Sequence, residues 1–339
     1  MRVFRVFKGR IILMVLILVL GFGVAAYSQQ DAIIRKLHGV SRDVYYVDEP
    51  LEGKLEAEVR DVVLKGVFDF FLEPVDAKAD TTWSAGVIPD LLGYRLNVER
   101  TVEKIMAAEA GEHLTPELDT VLALLTIEDF PGLPVYRGNP EKEQVAFMVN
   151  VAWGEEHIPE MLAVFLREGV RVTFFPVGRW AEKNPQSITE ILRHGHELGS
   201  HGYDDRLVLK GLEEEAVSAD LELSAKAIGT YTGESVAYFT PHKGEFDNAT
   251  LQAATEMNMR VMMWSLDTAD WMQPGVEKML ERTVGKIFNG AIILMHPTEE
   301  TVAYLEKALP LIKESGLEVV TISTLLDPHR LQIPGEEER

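Results

Sequence analysis

From Val145 onward the chain alternates short apolar runs with longer amphipathic ones. VAFMVNVAW, RVTFFPVG, HELGSHGY, VAYFTPHK, RVMMWSLD, AIILMHP and LEVVTISTLL are short, apolar and bounded by polar or turn-forming residues, the pattern of buried strands. Between them lie segments of roughly 10 to 20 residues with helical spacing. IPEMLAVFLREG puts Ile158, Met161, Leu162, Phe165 and Leu166 on one helical face, and NPQSITEILRHG offers Asn184 as a cap ahead of Pro185. EETVAYLEKALPLIKESG predicts a further helix, bent at Pro310. Strands alternating with helices predict an α/β fold with a parallel sheet and right-handed crossovers. About seven such units in so short a stretch predict a distorted (β/α)7-type barrel.

Upstream the pattern is weaker. Helical spacing is visible over 98–110 and 116–125, and EPVDAKADTTW and DFPGLPVYRGNPEKE are rich in turn formers. No fixed-period repeat suggests a solenoid. The division predicted is 31–140 as a smaller α+β region with a linker, and 141–330 as the barrel domain. Ahead of both, MRVFRVFKGR is basic and IILMVLILVLGFGVAAY is an uncharged apolar run. That layout predicts a secretory signal over 1–30, or an uncleaved membrane anchor, and hence an exported, extracytoplasmic protein.

Charge narrows the partners. The chain carries a formal −21, and because residues 1–30 hold four basic residues and no acid, the remainder carries −25 (29 basic against 54 acidic). Such a body repels nucleic acid and anionic membrane, and favours neutral or cationic partners. There is no cysteine, so neither a disulfide nor a thioether-linked lipid anchor contributes.

In βα folds of this kind the reacting groups collect where strands end and loops begin. Those positions hold Asn150, the stretch from His201 to Asp205, the stretch from Thr240 to Glu245, the stretch from Asp267 to Trp271, and His296. They are predicted to converge on one rim.

The segments VTFFPVG, GHELGSH, TG…FTPHKG, WSLDTADW and IILMHP, in that order and spacing, resemble the NodB-homology polysaccharide deacetylases of carbohydrate esterase family 4. DAKADTTW and GLPVYRGNPEKEQVAFMVNVAWGEEHIPEML further resemble the family's sporulation-associated branch, which implies a cell-envelope glycan such as cortex or wall peptidoglycan as partner. The family hydrolyses an N-acetyl amide on a sugar. An Asp-His-His site binds a divalent metal, zinc or cobalt, that activates water, while an Asp acts as base and a His as acid.

Carried over residue by residue, the resemblance implies a degenerate site. The strand end TFDDG of the family reads Met148, Val149, Asn150, Val151, so an amide stands at the base position and an isopropyl group at a ligand position. Of the HxxxH metal pair, His201 is present and Asp205 replaces the second histidine. The RPPYG loop, whose Arg pairs with the base, reads Thr240, Pro241, His242, Lys243, Gly244. Thr240, His242 and Gly244 then fall at substrate-facing positions. The acid half is intact: His296 matches the catalytic acid, Asp270 the carboxylate that orients it, and Trp271 a wall of the substrate pocket.

Each residue also has a plainer role open to it. His201 can be a core histidine bonded to backbone, Asp267 and Asp270 can be loop caps, and His196 with Glu197 can anchor a turn. Three functions remain open: a deacetylase rebuilt around Glu155 or His242, a catalytically impaired glycan-binding or scaffold protein, and a membrane-tethered assembly factor.

Overall fold

A computed structural model describes residues 29–83 and 85–331, together with Met14, Ile17 and Val24. Most of the signal or anchor segment thus lies outside the described residues, among which no helix is long and apolar enough to cross a membrane.

Every apolar run contributes a strand. They are β1 (Gln144–Val151), β2 (Thr173–Pro176), β3 (Glu197–Leu198), β4 (Tyr238–Phe239), β5 (Arg260–Val261), β6 (Leu266–Asp267), β7 (Ile292–Met295) and β8 (Glu318–Val320). RVMMWSLD supplies two of these, β5 and β6. The main sheet has the order β3-β2-β1-β7-β6, with β8 also paired to β1. All its pairings are parallel. The start of β1 takes β8 (Val320 opposite Ala146) and its end takes β2 (Val151 opposite Pro176). Strands β4 and β5 form a separate parallel pair. Single parallel bridges link Ser200 to Phe239 and Val135 to Met262.

Strand β1 is central because both of its faces are apolar and all eight residues are buried. Val145, Phe147, Val149 and Val151 share one cluster with Ile158, Met161, Leu162 and Phe165 of helix α1 (Ile158–Glu168). Ala146 and Met148 belong to another, with Phe175, Met262, Ile292 and Leu294. Side chains alternate along a strand, so Asn150 continues the second column to the end of β1. Each large apolar side chain so buried contributes about 1.5–3 kcal/mol.

Three local expectations differ from the structure. On α1, Leu166 is exposed and Val164 is buried in its place. The buried stripe is centred between Met161 and Phe165, and at 100° per residue Val164 lies closer to that centre than Leu166 does. Asn184 does not cap the helix Pro185–Arg193 with its side chain. Its Nδ2 instead donates to the Trp180 carbonyl at 3.0 Å, closing the preceding helix Gly178–Lys183. Over 116–125 the helical spacing gives no helix: Leu118–Val121 is a strand paired antiparallel with Gly93–Leu96. Thr120 and Val121 are β-branched, and the available partner strand overrides a weak helical pattern.

Two compact units are present. One comprises Pro74–Leu92 and Leu122–Leu331 and contains the sheet. DFPGLPVYRGNPEKE belongs to it, with Val135 bridged to Met262 and Arg137 to Ala291. The other comprises, of the residues described in full, 29–73 and 93–121. Its core packs Val59, Val62 and Val63 of the helix Glu56–Lys65 with Val102 and Ile105 of the helix Val98–Met106.

Candidate functional site

A cavity of about 530 Å3 lies at the carboxyl ends of β1, β6 and β7. Asn150, His201, Asp205, His242, Asp267, Trp271 and His296 line it, so the strand-end residues gather in one place. Thr240 and Gly244 are not among the lining residues.

One side of the cavity is organised by Asp270, which has no exposed surface. Its Oδ1 accepts hydrogen bonds from His296 Nδ1 at 2.8 Å and from the Trp271 backbone N–H at 2.8 Å. Its Oδ2 accepts from the His296 backbone N–H at 2.6 Å and from Thr301 Oγ1 at 2.8 Å. Because Nδ1 of His296 is committed to the carboxylate, Nε2 is the ring nitrogen left for a ligand. Trp153 stacks on the His296 ring at 6.0 Å and 7°. Gly154, at φ +80°, lets that loop pass close to the residues after His296, since a Cβ there would lie 2.1 Å from the Pro297 carbonyl oxygen.

The opposite side holds buried polar atoms without partners. Asn150 Oδ1, Thr240 Oγ1 and both ring nitrogens of His242 are buried and unbonded. His201 donates from Nδ1 to the Thr240 carbonyl at 2.8 Å, the tautomer-fixing bond of a core histidine and of a metal-ligating one alike. The His201 and His242 rings meet edge to face at 4.4 Å. Burial, and then the neighbouring His242, hold His201 well below its ordinary value. Burial likewise pushes His242 down to about 4, against the pull of Asp205 and Asp204.

These residues do not fit the family's metal. Val151 has no lone pair and is enclosed in the apolar cluster. Asp205 is exposed. Among the described residues no group of three or more His, Cys, Asp or Glu side chains is placed to hold an ion, whereas catalytic zinc sites use three protein ligands.

Several lining residues were not singled out by strand-end position: Ala152, Trp153, Trp264 and Leu294. Trp153 lies in the loop after β1, two residues beyond Val151, and only the aromatic itself signals it. Trp264 reaches the wall because of Gly244, whose φ is +68° and where a Cβ would lie 2.8 Å from the indole. Glu155 does not line the cavity; it accepts a hydrogen bond from Trp180 Nε1 at 3.3 Å.

His196 is a structural residue. Its Nδ1 accepts the Val172 N–H at 3.1 Å and its ring lies edge-on to Phe165 and Phe174. Burial pushes its pKa down to about 4, with the positive charges of His194 and Arg171 acting the same way. Unfolded, it titrates near 6.5. Between these values the unfolded chain binds the extra proton, so this contribution to stability is full above about 6.5 and is lost as pH falls toward 4. His196→Asn, whose side-chain oxygen also accepts the Val172 N–H, is expected to flatten the stability profile across that window by up to about 3 kcal/mol. Denaturant melts at several pH values measure it. An unchanged slope would mean that His196 is not the neutral acceptor described.

Comparison with known proteins places this geometry. The family profile for polysaccharide deacetylases matches residues 137–262. The uncharacterized protein YlxY of Bacillus subtilis is 34% identical over 78% of this chain and 82% of its own length. A peptidoglycan-N-acetylglucosamine deacetylase of Bacillus cereus is 28% identical over 56% of this chain and 70% of its own. The crystal structure of a CE4 family pseudoenzyme from Bacillus anthracis has 30% identity and a TM-score of 0.70, covering 83% of this chain and 99% of that one. A mutant of that pseudoenzyme, described as having restored enzymatic activity, matches with a TM-score of 0.69.

Proposed function

The chain belongs to the carbohydrate esterase family 4 polysaccharide deacetylases, and on that premise we propose that it binds cell-envelope glycan without deacetylating it. The observation that carries this is the end of β1. Asn150 has no basic oxygen at neutral pH and Val151 no lone pair, yet a cavity opens at Asn150, walled by Trp153, Trp264 and Trp271. Aromatic walls and a few polar groups suit a sugar ring. The relative called a pseudoenzyme, and its mutant with restored activity, support the view that such a site can lose its chemistry and keep its frame. The deacetylase relative supports peptidoglycan as the glycan.

In the same proposal residues 141–330 act as a deacetylase-like domain on a distorted (β/α)7 barrel, of the sporulation-associated branch. Residues 31–140 form the accessory region, and 1–30 export the chain or anchor it outside the cytoplasm.

The test pairs two measurements on the full-length chain. Acetate release from peptidoglycan and chitin oligomers, with zinc or cobalt supplied, is expected to stay at background. Binding to the same glycans is expected to be measurable and to fall at least about tenfold in Trp271→Ala, the loss of roughly 1.4 kcal/mol from an exposed aromatic platform. Robust metal-dependent turnover by the unmodified chain would overturn the proposal in favour of a rebuilt site using His242.

A further inference from the structure

Asp204 and Asp205 are adjacent acids with different surroundings. Asp204 Oδ2 accepts from Arg179 Nη1 and from Arg206 Nη2, each at 2.6 Å, and its Oδ1 accepts from Arg206 Nε at 2.9 Å. Just before it, the Tyr203 N–H donates to the buried Asp220 at 2.9 Å. Asp205 is held by these neighbours on the wall of the cavity, where it is exposed. Its carboxylate makes no hydrogen bond or ion pair with any described residue, and ligands for a metal are not assembled around it. A carboxylate accepts hydrogen bonds and donates none. Left free and facing a cavity, it matches a ligand that brings hydrogens.

Charge selects among such ligands. Lys243 is the single Lys or Arg among the lining residues, against Asp205 and Asp267, and the whole chain carries −21. At the His242 ring, Asp205 and then Asp204 pull the pKa upward more strongly than Lys243 pushes it down, so the acids dominate the field there. An anionic ligand meets like charge in such a cavity. The hydroxyls of a neutral sugar meet an ionised acceptor, whose hydrogen bonds are roughly twice as strong as those of a neutral one, while the indoles of Trp153, Trp264 and Trp271 take the face of its ring.

Resting on the glycan-binding function, we propose that Asp205 is a binding and specificity-determining residue of this cavity, whose carboxylate accepts hydroxyl hydrogens from an uncharged sugar and rejects a sugar that carries a carboxylate of its own. Within peptidoglycan this favours N-acetylglucosamine units over N-acetylmuramic acid units, whose lactyl ether removes a hydroxyl and adds a negative charge. The residue at the family's second metal-histidine position then contacts the sugar directly.

Isothermal titration of the full-length chain at pH 7 with two tetramers tests this. One is the chitin tetramer; the other is the peptide-free tetramer in which N-acetylglucosamine and N-acetylmuramic acid alternate. The expected result is at least tenfold tighter binding of the chitin tetramer. In Asp205→Asn that ratio is expected to fall below threefold, because the first ligand binds more weakly and the second more tightly. The variant should melt as the unmodified chain does, since the side chain bonds nothing within it. Glu222→Gln removes the same charge from an exposed position on the helix Glu214–Thr232 that does not line the cavity, and should leave the ratio unchanged. A smaller preference in the unmodified chain, or tighter binding of the anionic tetramer, overturns the inference and leaves the glycan-binding function standing. A ratio that stays above threefold in Asp205→Asn does the same, by assigning the preference to the bulk of the lactyl group, as does a ratio lost equally in Glu222→Gln. Binding of neither tetramer overturns both.

Discussion

With Val151→Asp, Asp205→His, Asn150→Asp and Thr240→Arg combined, zinc-dependent acetate release rises from background by about 10²–10⁴-fold over the chain that carries the first two changes alone. The first pair supplies, with His201, the three ligands that catalytic zinc requires. The second supplies a base, worth that factor, and a cation to pair with it. The members of each pair depend on one another. Val151 sits in the apolar cluster with no exposed surface, so Val151→Asp alone buries an unpaired carboxylate and lowers the melting temperature until zinc is added. Thr240 has no exposed surface either, and Thr240→Arg without Asn150→Asp leaves a guanidinium without its partner. Zinc titration, thermal melts with and without zinc, and acetate assays separate these steps. A fourfold variant that binds zinc and folds yet releases no more acetate than the twofold one would refute the assignment of Asn150 and Thr240 to the base half. Single changes are expected to do little, since groups that act as one unit are not additive.

The parallel sheet and the gathering of Asn150, His201, Asp205, Asp267 and His296 were legible in the sequence because both follow from local rules. An apolar run of strand length is buried wherever it occurs, and strand-end residues in a βα fold share one end of the sheet. Leu118–Val121 was not legible, because its strand state depends on a distant partner, Gly93–Leu96. The role of Asn184 was hidden for a related reason: two helices abut there, and spacing does not say which of them the side chain serves. Within the cavity the polar residues and one wall, Trp271, could be named in advance, and the other two aromatic walls could not. Trp153 and Trp264 reach the cavity through loop geometry, and Trp264 through the missing side chain of Gly244. The unbonded state of His242 is a property of its surroundings that no motif encodes.

Asp270→Ala is expected to destabilise the chain by about 3–5 kcal/mol, the range for removing one partner of a buried pair. The side chain accepts four hydrogen bonds from three places: the backbone and ring of His296 after β7, the backbone of Trp271 in its own loop, and Thr301 in the first turn of the helix Glu299–Glu314. Truncation leaves the backbone N–H groups of Trp271 and His296 without acceptors, each at about 1–3 kcal/mol, while the Thr301 hydroxyl keeps only Thr298 Oγ1, at 2.8 Å. Asp270→Asn keeps the volume and one acceptor oxygen, so it is expected to cost roughly half as much. Equilibrium denaturation measures both. The size of the effect bears on how the intact acid half is interpreted. If Asp270 ties three elements together, a chain with Asn150 and Val151 at the end of β1 still needs it to fold, and the DTADW and LMHP segments persist for packing rather than for proton transfer. If Asp270→Ala melts within about half a kcal/mol of the unmodified chain, the range of an ordinary surface change, that account fails. The retained Asp270 and His296 would then require a chemical role that the base half of this cavity does not supply.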